Sequence, residues 1–220
     1  MEFAQVLRQR KSVRAFQSTL LTQAQINLVL EEAQLAPSSQ NTQPWQVHIV
    51  SGNKLAQLQE LFCQLWDKQE LTPDFTYGLD AYPEENKVRA QETAKLFADV
   101  RNIYRGDKEA RFNAIKENYF YGAPHAAFFF FPSVGDNVRL AFDLGLYVEN
   151  FLLSLTNHGF AGVPQTMLTV FAEPLREILG VEPNYKLIIG VSFGYEDHNA
   201  PVNQVKSTRV PVEQVVKFHQ

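Results

Sequence analysis

Apolar positions along this chain switch between helical and alternating spacing without settling into any repeat. Phe3, Val6 and Leu7 fall on one face of a short helix over residues 2–9. Ile26, Val29, Leu30 and Ala33 then recur at i, i+3, i+4 and i+7, the period of an amphipathic helix. Thr22 with Gln25 three residues on is a capping-box pattern that starts this helix, and it must stop before Pro37. The loop Pro37–Pro44 is rich in side chains that hydrogen-bond locally. Trp45, Val47 and Ile49 alternate with Gln46, His48 and Val50, which predicts a strand over 45–51 ended by Gly52-Asn53. Leu55, Leu58, Leu61, Phe62 and Leu65 make the next stretch, 54–66, an amphipathic helix.

The middle of the chain differs. Residues 84–117 hold 15 charged positions of mixed sign, with Phe97, Tyr104 and Phe112 as apolar anchors. This reads as surface helices after a Pro/Tyr/Gly loop at 72–83, an excursion spanning about 66–121 from a single domain of residues 1–220. The core resumes with Phe128–Phe131, a continuous apolar run between Pro124 and Pro132 that predicts a buried strand. A helix over 138–158 is apolar nearly all round and should be buried. Residues 159–165 look turn-rich, 175–179 form a short helix ended by Gly180, and 187–194 form a buried strand. The tail from His198 carries Pro201 and Pro211, the basic pair Lys206 and Arg209, and a β-prone run at 210–216. Irregular mixing of helices and strands favours an α+β fold over a doubly wound sheet.

Composition narrows the function classes. The chain has 220 residues, 45% of them apolar, and a net charge of −4, which argues against general nucleic-acid binding. Its apolar-rich helix carries Arg139, Asp143 and Glu149, and the N-terminus lacks the apolar core of a signal peptide, so a cytoplasmic protein is expected. The single cysteine, Cys63, forms neither an intramolecular disulfide nor a cysteine-based zinc site. The five histidines are scattered without metal-ligand spacing, and no glycine-rich phosphate loop occurs. What remains is basic: Arg8, Arg10, Lys11 and Arg14 lie within seven positions around Ser12. Such a cluster is either a solvated charge patch or an anion site, since arginine offers a fork matched to phosphate and serine a short donor.

Five segments taken in order resemble the FMN-dependent nitroreductase family: residues 10–16 (RKSVRAF), 36–45 (APSSQNTQPW), 160–165 (FAGVPQ), 189–195 (IGVSFGY) and 206–209 (KSTR). Each is weak alone, but their order and spacing agree over nearly the whole chain, with 65–118 matched only loosely. The resemblance implies a three-layer fold with a mostly antiparallel central sheet and a C-terminal arm that joins the partner's sheet. It also implies a homodimer that holds each FMN between subunits. Arg10, Ser12, Lys206 and Arg209 are then expected to hold the phosphate and ribityl chain, with Lys11 where relatives often carry Arg or His. Arg14 is expected at the flavin pyrimidine edge, with Asn118 nearby. Ser38, Ser39 and Asn41 are expected from the partner and Gln165 and Thr166 to turn backbone amides toward flavin N5 and O4, with Pro37 and Pro164 beside them as further cofactor-binding residues. The implied reaction passes hydride from NAD(P)H through the flavin to a nitroaromatic, quinone or similar small aromatic acceptor. Alternatives are a dehalogenase or dehydrogenase on the same scaffold, a flavin carrier without turnover, and an anion-binding structural protein.

Overall fold

The run of four phenylalanines builds the centre of the molecule. In the computed structural model, which describes residues 1–76, 78–104 and 106–219, it lies in strand β2 (His125–Pro132). Tyr77, Arg105 and Gln220, from the loop, excursion and tail read above, lie outside the described residues, as does the side chain of Glu117. β1 (Gln46–Ser51) pairs with β2, β2 with β4 (Tyr185–Gly194), and β4 with β3 (Ala161–Gln165), all antiparallel, in the order β1-β2-β4-β3. Side chains alternate across a strand, so Ala127, Phe129 and Phe131 face one layer while Ala126, Phe128 and Phe130 face the other. Both layers cover β2, which explains why its sequence shows no polar alternation.

The first layer is α2 (Gln23–Ala33) with α6 (Val138–Asn157); the second is α3 (Gly52–Lys68) with α7 (Ala172–Leu179). α1 (Phe3–Gln9) lies against α6. The expected helix–sheet–helix arrangement is therefore present. Local signals fix the ends of these elements. The Gln25 N–H donates to Thr22 Oγ1 and the Thr22 N–H to Gln25 Oε1 at 2.8 Å, closing the capping box. Such a cap contributes about 1 kcal/mol. Gly180 ends α7 in the left-handed region at φ 66°, which a side chain would strain.

Three expectations need correction. Residues 161–165 are a strand, not a turn. β3 is an edge strand, and an edge tolerates Pro164, which has no N–H to donate. Gly162 is there for packing, since an added Cβ would stand 2.9 Å from Leu155 Cδ1. The α6 helix is not buried all round either: Val138, Phe142 and Glu149 share an outer face, with Phe142 67% exposed. In the excursion, α4 (Glu84–Val100) buries no residue, and α5 (Lys108–Glu117) is held where Phe112 stacks on Trp66 at 5.5 Å. Tyr104 is exposed and is not one of the buried anchors. After Asn203 the tail is exposed coil, with a single 3-10 turn at Val212–Gln214 where the β-prone run lies.

Candidate active site

The basic segment is built into the fold. Val13 is buried, its N–H donates to the Gly162 carbonyl at 3.3 Å, and Ser12 bridges to Gly162 of β3. This sets Ser12 beside the strand that carries Pro164 and Gln165 and leads into Thr166. Gln165 is buried, accepts from Ser192 Oγ, and donates from Nε2 to the Asn118 carbonyl at 3.3 Å. Asn118 itself turns its amide back to the Ala114 carbonyl. Ser12, Pro164, Gln165, Thr166 and Asn118 thus gather around the β3 edge of the sheet.

Asn203, which the sequence did not single out, ties the tail to the same place. It is 2% exposed, and its Oδ1 accepts from the Arg14 N–H at 2.8 Å. Its Nδ2 donates to the carbonyls of Ala15 and Asp197, and its own carbonyl accepts from Lys11 Nζ at 2.8 Å. Three residues of chain reach at most about 11 Å, so Asn203 keeps the Lys206 backbone near the basic segment. Lys11 is already committed, with Nζ 2.7 Å from Glu196 Oε1. Among the described residues Arg10 has one loose ion-pair partner, Glu149 at 3.8 Å, and Arg209 hydrogen-bonds to Ser207 Oγ and the Thr208 carbonyl of its own segment.

Arg14 is the most distinctive group. Its guanidinium lies 3.8 Å over the Phe97 ring of α4 and donates to the Ser12 carbonyl at 3.2 Å. Burial lowers its pKa, the Tyr121 hydroxyl partly opposes this, and Arg101 adds to the lowering. An arginine nevertheless stays charged. Among the described residues Arg14 has no carboxylate partner. Tyr121 sits in a left-handed stretch, with φ 62° at Phe120 and 53° at Tyr121, strain of a kind that concentrates at functional sites.

The Pro37–Pro44 loop lies elsewhere. It packs on α6, where Asp143 accepts the Ser39 N–H at 3.1 Å, and Ser38 Oγ accepts the Gln43 N–H at 2.9 Å. Gln40, Asn41 and Gln43 all have positive φ. Pro37, Ser38 and Ser39 line an open groove of about 580 Å³ with Arg139, Phe142 and Leu146 of α6. No hydrogen bond or ion pair among the described residues joins this loop to the Arg10–Arg14 segment. Burial raises the Cys63 thiol pKa, contrary to what a reactive cysteine needs.

Residues 7–195 match the Nitroreductase family. The chain belongs to that family. It is 36% identical over 97% of its length to nitroreductase NfnB of Mycolicibacterium smegmatis, covering 91% of that protein. It is 27% identical over 94% of its length to a 4-nitrobenzoate reductase of Pseudomonas putida, again covering 91% of the relative. Its fold superposes on the crystal structure of the FMN-dependent nitroreductase NfnB from Mycobacterium smegmatis in complex with NADPH, with a TM-score of 0.94, 33% identity and full coverage of both chains.

Proposed function

We propose that this nitroreductase-family chain is an FMN-dependent oxidoreductase that takes hydride from NADPH or NADH and reduces nitroaromatics, quinones and similar electrophiles. The observation that carries the reading is Arg14: a half-buried guanidinium without a carboxylate partner among the described residues, lying over the Phe97 ring on the segment that bridges to β3. The residues present fit FMN. Arg10, Ser12, Lys206 and Arg209 supply cations and a hydroxyl for a dianionic phosphate, which arginine forks and lysine charges bind well. Arg14, with Asn118, would hold the pyrimidine edge, and the Pro164–Thr166 backbone would line the ring. Lys11, paired with Glu196, orients the segment from behind. When bound, FMN supplies the centre that accepts and donates hydride. The chain's own task is to hold that ring, keep positive charge where negative charge develops, and leave one face open to reductant and acceptor in turn.

The reading includes a cytoplasmic homodimer. Pro37, Ser38, Ser39 and Asn41 of one protomer complete the site built on Arg14 of the other. Val138 and Phe142 line the Ser38–Ser39 groove and are exposed, and Phe3 and Leu7 of α1, which packs on the same helix, add further exposed apolar surface, as a subunit interface requires. Val212, Val215 and Phe218 in the tail are exposed and suited to packing on a partner. No helix among the described residues is long and apolar enough to cross a membrane.

Purified protein should show flavin absorbance, bind FMN far better than riboflavin, and oxidise NADPH when nitrobenzene or menadione is added. Colourless protein without acceptor-dependent oxidation would overturn the reading. Flavin without turnover would leave a carrier. Refolding a mixture of Arg14→Ala and Asn41→Ala chains should recover partial activity, because some heterodimers keep one intact site.

A further inference from the structure

Two arginines from distant parts of the chain converge on one tyrosine. Phe97 lies in the last turn of α4 and Arg101, four residues on, caps its C-terminus, so the two come to the same end of the helix. Phe97 covers Arg14, while the Arg101 guanidinium lies 5.6 Å from the Tyr121 ring centroid. Arg14 feels both the Tyr121 hydroxyl and the Arg101 charge. The result is two guanidiniums and two aromatic rings, with no carboxylate paired to either arginine among the described residues.

Like charges this close repel, and half-burial weakens the screening that water would provide. Salt bridges elsewhere show that the chain pairs its cations where stability is the purpose. Arg176 and Lys186 both reach buried Asp74, and Lys116 reaches Asp67. In the proposed function Arg14 is assigned to the flavin edge, and Arg101 has no task. Partly exposed and 5.6 Å from the ring of a tyrosine that Arg14 also senses, its guanidinium is placed to meet a ligand that enters beside Arg14. A guanidinium there forks onto an oxyanion, and an aromatic neighbour favours a flat ligand.

We propose that Arg101 is a specificity residue that recognises an oxyanion on the planar ligand entering this site, the carboxylate of an aromatic acceptor being the ligand to which it is matched. This rests on the oxidoreductase reading above. The same chemistry would also serve the 2′-phosphate of NADPH, and the test separates the two sources.

Using the FMN-loaded protein, kcat/KM is measured for 4-nitrobenzoate and for nitrobenzene in the wild type, Arg101→Leu and Arg101→Lys. The ratio of the two values should fall about tenfold or more in Arg101→Leu and recover in part in Arg101→Lys. Calorimetric titration with benzoate, referenced to benzamide, should show a parallel loss of affinity without relying on turnover. The companion arm compares NADPH with NADH, and binding of 2′,5′-ADP with AMP. A shift confined to that arm assigns Arg101 to the nucleotide phosphate and overturns the carboxylate match. Ratios within about twofold of wild type in both arms overturn oxyanion recognition altogether. Failure of the wild type to reduce either acceptor would instead sink the oxidoreductase reading, and the benzoate titration would still decide the role of Arg101.

Discussion

α6 and α4 are both long helices, of 20 and 17 residues, held in place by different physics. α6 buries Leu144, Tyr147, Phe151, Leu152 and Leu155 against the sheet and α2. α4 buries no residue. Its first turn carries Glu84 and Glu85, which complement the helix dipole, and its surface carries the pairs Lys87–Glu84 and Lys95–Asp99. Such exposed pairs contribute a few tenths of a kcal/mol each. What fixes α4 against the body is Phe97 on Arg14, with packing on the turn Pro201–Gln204. The contrast separates two duties. α6 supplies stability, whereas α4 is tied to the molecule chiefly through Arg14, the residue proposed for the flavin edge, and would respond to what binds there.

Breaking α6 should therefore cost most. Phe151→Ala removes a fully buried ring that meets Phe129 and Phe193, and chemical denaturation should show a loss of about 3–5 kcal/mol. Asn203→Ala comes next. It strands the Arg14 N–H and the Ala15 carbonyl, so a loss of about 1–3 kcal/mol is expected, together with faster FMN dissociation as the tail loosens.

Phe97→Ala should lower stability by only about 1 kcal/mol, the scale of a cation–π contact, yet change the KM for aromatic acceptors measurably. A large stability loss with unaltered kinetics would reverse the division of labour between the two helices.

The smallest effect at neutral pH concerns the sheet. Burial lowers the pKa of His125, whose Nε2 accepts the Leu21 N–H at 2.9 Å, and likewise of His48 on β1. The unfolded chain then binds protons that the folded chain resists. Stability is full above about pH 6.5, the unfolded histidine value, and falls as pH drops below it. Urea midpoints measured from pH 8 to 5 check this, and His125→Phe should flatten the acid side of the curve.

Much of the scaffold was legible because its signals are local. The capping box at Thr22–Gln25 and the αL glycine at 180 are satisfied by neighbours a few residues away, and the apolar run at 128–131 needs only its own composition. β3 was missed because glycine and proline read as turn formers until an edge position and the crowding of Leu155 against Gly162 are known. In the site, the sequence exposed the basic residues 10–14 but not what surrounds them. Phe97, Arg101, Tyr121 and Asn203 carry no spacing pattern, since they come from α4, the end of the excursion and the start of the tail. The same holds for Asp74, which anchors the excursion by accepting from Arg176, Lys186 and the Leu187 N–H across more than a hundred residues of chain.

By itself the sequence determined the helices and strands with strong periodicity or caps, the charged character of the excursion, the absence of a protein nucleophile pattern, and the ordered motifs of its family. Those properties depend on residues close in the chain, where backbone hydrogen bonds and side-chain spacing act directly. Tertiary structure alone decided that Ser12 bridges β3, that Asn203 binds the tail to the basic segment, and that Phe97 lies on Arg14. Contacts of that kind form only once the sheet has brought remote segments together, because burial and charge pairing act through distance in space and leave no periodic trace in the chain.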